Sequence, residues 1–574
     1  MIGILHGYEL EGSGSNLWTR EVVRALARLG ETVHLVCQEP HPEEHDFVAE
    51  VWEHREEGSE RVLSRDVPYA GRCILHRPEL GEVLPVYVVN TEDARPRRIR
   101  AVELPDAVIE DYLTRNVGCV DRVVREHRVT VLLANHAVFM PVVAERVGRV
   151  PFAIVPHGSA IEYVVRRDER FRRMACRAFA AAARIYLIAE EMRSRVCEVF
   201  ADVPGLADKL VRLDVGVDTR LFRPAGRGER PGRIAELLAA LAGAPRGKRP
   251  EQTREMARRL EAVDWGGDLA PAAAALTAAE YRADRPDSDL EAKLRAVDWE
   301  REAVLLFLGR LVWGKGPQSI LAALPDLLEA RPATRLLLVG EGPVREILEA
   351  FVQALARGDR AAVEGLAGWQ LPLPGTGPPD FTEVGRFLAR LDRRGELDAW
   401  LARARRHLSP PPPDPASPVL FTGYLRHPLL RFLLPCCDLV LLTSTVREAA
   451  PLVFLEALAC GVLPLAADFG GLASSLDAVA GDLPAEVVEV MRLAAETDER
   501  VADLAAKGAR ALEIGARHQE DLRRVAVERY DWTRVAAALA DGLASLVDRP
   551  IGAGDRERGP TAPAPPAARR PPLF

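Results

Sequence analysis

The chain has 574 residues, more than one compact core supports, so at least two domains are expected. Apolar residues make up 48%, and 76 basic against 84 acidic residues leave a net charge of −8, with no large basic block in the body of the chain. That balance argues against nucleic-acid binding, and without an apolar run of about 18 residues no membrane span is expected.

The opening "MIGILHGYELEG" has neither a positively charged start nor a long apolar core, so it does not read as a signal peptide. Continuous apolar runs at 2–5, 33–36, 131–134, 152–155 and 185–188 suit strands buried on both faces of a parallel sheet. Between the first two lies "GSGSN" (12–16), by itself as much a turn as a phosphate loop. Trp18, Val22, Ala25 and Leu29 then recur at helical spacing, with Gly30 closing the run and Ser15 or Asn16 placed to cap its start. The second half repeats the plan with runs at 304–308, 335–339, 419–421, 439–442 and 462–466. Two doubly wound α/β halves predict two Rossmann-like domains, with ligands beyond the carboxyl ends of the strands and in the cleft between.

Residues 225–300 and 355–417 read as helical insertions. The first carries "AVDW" twice, at 262–265 and 296–299, expected as two similar hairpins; the second ends in a stiff "SPPPPDPASP" connector. "DSD" at 287–289 reads as part of a polar insertion rather than a metal triplet. The tail after Val547 lacks the composition for a core and is expected to be disordered. Eight cysteines without a CxxC pattern, the Cys436–Cys437 pair included, read as buried, reduced thiols of a cytoplasmic protein.

The chemistry concentrates in "STVREAAPLVFLEALACGVLPLAADFGG" (444–471). Pro451 stands where a first helical turn would begin, placing Glu448 just ahead of a helix and Glu456 inside it. Leu452 and Val453 would offer free backbone N–H groups to an anion at the helix start. The two carboxylates then bracket a phosphate site, one towards a sugar and the other towards a ribose. Upstream, "FLGRLVWGKG" (307–316) puts Arg310 and Lys315 around a glycine turn, where two cations can converge on a diphosphate. A leaving nucleoside diphosphate needs such neutralisation where no metal supplies it.

With "LLLVGEGP" (336–343), "VLFTGYL" (419–425), "VGVDTRLFRP" (215–224) and "IVPHGSAIEY" (154–163), these motifs resemble, in order and spacing, retaining glycosyltransferase family 4 of GT-B fold, among the glycosyl transferases group 1. The resemblance covers most of 1–547. It implies that Arg310 and Lys315 bind the donor diphosphate, Glu456 the ribose and Glu448 the donor sugar. Backbone at Leu452 and Val453 would meet sugar or phosphate, and Gly423, Tyr424 and Leu425 would lie near the base. His157 would bond the transferred sugar. Gly12, Ser13, Gly14 and Ser15 would close the cleft opposite the diphosphate, and His136 could line the acceptor side.

The resemblance also implies domains at 1–222 and 301–528, a linker with insertion at 223–300, and a last helix, opened by "RYDW" (529–532), packing back on the first domain over 529–547. The reaction implied is metal-independent, cofactor-free transfer of a hexosyl group from a UDP-, GDP- or ADP-hexose to a carbohydrate, lipid-linked or small-molecule hydroxyl, with at most peripheral membrane contact. No carboxylate is placed as a nucleophile, which favours a front-face route. Ala449–Ala450 replaces the aromatic pair usual in the family, widening the wall beside the sugar. A decayed nucleotide-sugar-binding scaffold and a sugar-nucleotide epimerase are the alternatives; "GYELEGSGSN" does not complete the glycine fingerprint of a dehydrogenase.

Overall fold

A computed structural model describes residues 1–87, 97–373, 380–448 and 451–547. The strands of the first half are β1 (Ile2–Leu5), β2 (Thr32–Val36), β3 (Val48–Arg55), β4 (Gly58–Ser64), β5 (Arg72–Pro78), β6 (Val83–Val86), β7 (Arg97–Arg100), β8 (Val131–Asn135), β9 (Phe152–Val155), β10 (Arg184–Leu187) and β11 (Leu210–Arg212). Nine of them form one sheet in the order β11-β10-β9-β8-β1-β2-β5-β3-β4, while β6 and β7 pair separately. Every pairing in the large sheet is parallel except the β3–β4 hairpin at its edge.

The second half contributes β12 (Ala303–Leu308), β13 (Thr334–Val339), β14 (Val419–Gly423), β15 (Leu439–Leu442), β16 (Leu463–Ala467) and β17 (Arg492–Leu493). They form an all-parallel sheet ordered β14-β13-β12-β15-β16-β17. The central strands are buried along almost their whole length because helices cover both faces, as their unbroken apolar runs require. Chain order reverses on the two sides of β1 and of β12. Those are the switch points at which a doubly wound sheet leaves a crevice for a ligand.

Several expectations change at the level of elements. The first helix runs Gly14–Arg28, so Ser15 and Asn16 lie inside it and Ser13 is the cap, its hydroxyl accepting from the Asn16 amide at 3.3 Å. Pro451 caps the helix Leu452–Ala459 instead of occupying its first turn. The two AVDW copies do not build matching hairpins. Both follow helices, but the second leads directly into β12, with the Trp299 indole donating to the Leu294 carbonyl. Cys197 is exposed and Cys176 half-buried, so the thiols are not uniformly internal; Cys436 and Cys437 are buried as expected.

"DSD" is not a surface patch either. Asp287 is buried, accepting from both Arg345 Nη atoms at 2.7 Å and from Lys293 at 2.7 Å, and it ties the first insertion to the second sheet's helices. The insertion also lies along the end of β14, with the Asp287 amide donating to the Thr422 carbonyl and the Tyr424 amide to that of Arg285. The last helix, Trp532–Val547, packs against Gly14–Arg28 in the first half. Its Trp532 ring sits edge-on to Trp18 and so close to Gly216 that a side-chain carbon there would come within 2.3 Å. Ala449–Ala450 and the tail from 548 fall outside the described residues. Among those described, no helix is long and apolar enough to cross a membrane.

Candidate functional site

The loop after β12 is held open by backbone zippering to the loop after β13. The Gly309 amide donates to the Val339 carbonyl and the Leu311 amide to that of Glu341. Gly340, at φ +147°, lets the two loops touch; a side-chain carbon there would lie 1.9 Å from the Gly309 carbonyl oxygen. Arg310, between the two tethered residues, is exposed at the strand end, and no side-chain hydrogen bond engages it among the described residues. The turn Trp313–Lys315 then closes at Gly316, whose φ of +70° seats it 2.1 Å (counted from a would-be Cβ) from the Thr443 carbonyl oxygen.

That seating brings Lys315 to Glu448. The ammonium donates to Glu448 Oε2 at 2.5 Å, and the Ser444 hydroxyl donates to Oε1. The Glu448 loop is supported from behind by Arg500, fully buried without a carboxylate partner. Its Nη1 donates to the carbonyls of Thr443 at 3.2 Å and Ser444 at 3.1 Å. From the first half, the buried Arg195 reaches the Arg447 carbonyl at 3.3 Å while Glu191 holds its Nε at 2.6 Å. Leu452 and Val453 open the next helix, where first-turn amides have no partner within the helix.

Glu456 is 4% exposed, and its Oε2 has no hydrogen-bond partner among the described residues. Its Oε1 accepts from His427 Nε2 at 2.6 Å, and His427 Nδ1 in turn accepts from Arg20 Nη2 at 3.0 Å. This chain crosses between the halves, since Arg20 lies on the helix that GSGSN begins. Arg426 makes a further crossing, donating to Glu11 at 3.2 Å and Glu44 at 2.7 Å. Burial works against ionising Glu21, yet Arg24 and Arg20 hold its carboxyl down at about 2, so the arginine pair stays compensated. Gly12 and Gly14 have open space where side chains would project.

On the first half's carboxyl edge, His136 and His157 follow β8 and β9 with ring centroids 5.0 Å apart. Both are buried; among the described residues neither His136 nitrogen has a partner, and His157 Nε2 has none. Burial, assisted by His6, pushes His157 down to about 3, and it holds His136 well below its usual value. His6, at the end of β1, stacks on His136 at 5.4 Å and bonds Asn16, Thr19 and Asn135. A cavity of about 580 Å³ opens further along the same edge, lined in part by Gln38, Glu53, His54, Arg77, Glu79 and Arg97.

Sequence reasoning named Arg310, Lys315, Glu448 and Glu456, and the structure gathers them at the ends of β12 and β15. His157 and His136 lie together on the facing sheet. His427, Ser444, Arg195, Arg500 and His6 were not singled out. Ser444 and His6 stood inside quoted stretches without being read, and His427 lies two residues past the quoted "VLFTGYL".

Two solved structures share the overall fold. The catalytic domain of starch synthase IV from Arabidopsis thaliana, bound to ADP and acarbose, is 12% identical over 96% of this chain and 99% of that one, with a TM-score of 0.52. Sucrose-phosphate synthase from Thermosynechococcus elongatus is 14% identical over 95% and 98%, with a TM-score of 0.50. The fold is thus GT-B, two Rossmann-like halves facing across a cleft. Within it, residues 416–495, which include both site glutamates, match the family model of Glycosyl transferases group 1. No curated protein matches the sequence.

Proposed function

We propose that the chain is a retaining glycosyltransferase that moves a hexosyl group from a nucleoside-diphosphate sugar to a hydroxyl acceptor without a metal or cofactor. The observation that carries this reading is the meeting of Lys315 and Glu448 at the switch point of the second sheet, beside an unpartnered Arg310 and a helix start. In this state Lys315 and Glu448 neutralise one another. A bound diphosphate competes for Lys315 and, with Arg310, draws it off the carboxylate, leaving Glu448 free to accept the donor sugar's hydroxyls. Glu456 Oε2, buried and unpartnered, is placed to accept from a ribose.

In the reaction, the bond from the anomeric carbon to the β-phosphate oxygen breaks while the acceptor oxygen bonds the same face. The acceptor's proton passes to the departing phosphate oxygen, whose charge Arg310 and Lys315 stabilise. His157, neutral through burial, hydrogen-bonds the transferred sugar, with His136 behind it towards the acceptor side. The cavity near Glu53 and Arg77 suits a polar acceptor. A starch synthase bound to ADP shares the fold, which makes adenine one base to test beside uracil and guanine. Eight unpaired cysteines support a cytoplasmic setting.

The test is a panel of UDP-, GDP- and ADP-hexoses scored by thermal shift, by nucleoside-diphosphate release and by the anomeric configuration of the product. One donor should stabilise the chain and be consumed with retention. Stabilisation without turnover would identify a decayed binding scaffold, and an epimerised sugar without diphosphate release an epimerase. Inversion would overturn the front-face route.

A further inference from the structure

A second group of histidines lies in the first half, away from the donor loops. His34 on β2 and His76 on β5 share one sheet face, because His34 is registered opposite Ile74, two residues before His76. His54 on β3 shares that face, registered opposite Pro78. His127 comes down on them from the end of the helix Asp106–Glu126, its ring centroid 4.7 Å from that of His34 and 5.0 Å from that of His76. One ring nitrogen each from His34, His76 and His127 lies within 4.8 Å of the others.

The hydrogen bonds of the group form a chain that stops short, its direction set by the tautomers of the rings. Arg122 donates to the Ser59 hydroxyl at 2.9 Å, and that hydroxyl is 2.8 Å from His54 Nδ1. His54 Nε2 is 2.9 Å from His76 Nδ1, and His76 Nε2 is 3.0 Å from His34 Nδ1. Beyond that point nothing continues the chain. His34 Nε2, on a residue 1% exposed, has no partner, and no hydrogen bond engages the His127 ring among the described residues.

We propose that His34, His76 and His127 bind one divalent transition-metal ion of the zinc class, with His54 as the outer partner that orients His76 and solvent completing the coordination on the half-exposed His127 side. Imidazole nitrogens bind zinc at about 2.0–2.1 Å, which sets tetrahedral neighbours roughly 3.4 Å apart. The 3.0 Å between His34 and His76 is near that spacing, and His127 reaches it by a modest swing of a ring that holds no hydrogen bond. An all-imidazole donor set selects zinc, cobalt, nickel or copper over magnesium or calcium. His127 also caps the carboxyl end of a 21-residue helix, where the macrodipole favours a cation. A ligating histidine commonly donates its other ring nitrogen to a fixed acceptor, the role His54 plays for His76. The ion would pin β2, β5 and the helix end together; the donor loops do not touch it.

The experiment uses the full chain without a histidine tag, stripped with a chelator and titrated with cobalt(II) alone. One equivalent should bind with the visible ligand-field absorption of a four-coordinate site, and zinc(II) should displace it. His127→Ala removes a ring that makes no hydrogen bond, so the variant should keep its circular-dichroism spectrum while binding at least tenfold more weakly. His54→Gln should weaken binding by roughly 10–100-fold without abolishing it. His41→Ala, at an exposed histidine outside the group, should bind as the parent does. Failure of the folded parent to take up cobalt or zinc would overturn the proposal, and so would unchanged binding by His127→Ala. Neither result bears on donor binding at Lys315 and Glu448; His54, which also lines the cavity proposed for the acceptor, is scored by metal affinity alone.

Discussion

At the proposed donor site, each residue's contribution depends on the charge it faces. Lys315 is only about one-third exposed and is committed to Glu448, so removing it both uncovers a carboxylate and strips one cation from the diphosphate. Loss of one such electrostatic donor costs about 3–4 kcal/mol at the transition state, so Lys315→Ala should lower kcat some hundreds-fold. Near-parental turnover would remove Lys315 from the mechanism. His427→Ala should act differently, because it touches Glu456 and not the departing phosphate. Freed of its 2.6 Å partner, Glu456 loses its orientation, and the KM for the donor should rise about tenfold, worth ~1.4 kcal/mol, with a smaller change in kcat. Glu456 itself was legible from sequence because a carboxylate on an otherwise apolar helix demands a partner. The identity of that partner was not, since His427 lies 29 positions away and only the fold brings it near.

Among elements, the loops that present these side chains rest on a few backbone positions. Gly316 combines a left-handed φ with contact against the Thr443 carbonyl, so Gly316→Ala meets both torsional strain and a steric clash. A cost on the order of 1–3 kcal/mol from strain alone is expected, seen as a lower urea midpoint and a parallel loss of turnover as the Lys315 turn shifts. Ser13→Ala removes the cap of the Gly14–Arg28 helix and should cost about 1 kcal/mol in a thermal melt.

The strands that could be read in advance were the buried central ones, whose four or five apolar residues run unbroken. β3, β4 and β5 went unread for a physical reason. β4 is an exposed edge strand, and β3 and β5 bury histidines at positions where a core strand would show aliphatic residues. Imidazoles that bond one another satisfy their polarity internally, so the stretch is polar in sequence and buried in space.

For the whole molecule, those buried imidazoles set an acid limit. His6, His34 and His54 are lowered from 6.5 to about 4, and His157 to about 3, chiefly by burial. The folded rings stay neutral while the unfolded chain takes up protons below 6.5. Their contribution is therefore complete above pH 6.5 and is lost progressively as the pH falls through 6.5 towards 4 and 3. The urea midpoint should drop steeply between about pH 6.5 and pH 4, and a flat profile there would mean that the rings are charged when folded. Deleting the chain from Trp532 onward should also expose Trp18 and the face covered by Val535, Leu539 and Leu543, giving a species that aggregates on gel filtration.

The polypeptide passes between the halves at two places that lie side by side. The Val217 amide donates to the Tyr530 carbonyl at 2.7 Å, and the Trp532 amide to that of Val217 at 3.1 Å. Arg523 lashes the same line, donating to the Phe222 carbonyl at 2.6 Å and that of Thr219 at 2.7 Å. Two spans fastened in register thus join the halves along one line by backbone and side-chain hydrogen bonds together. Away from that line the halves meet through side chains, Arg20 with His427 and Arg426 with Glu11 and Glu44. Glu456 therefore joins the first half through His427 and Arg20, whereas the Glu448 loop is tied to it by Arg195, which reaches the Arg447 carbonyl at 3.3 Å.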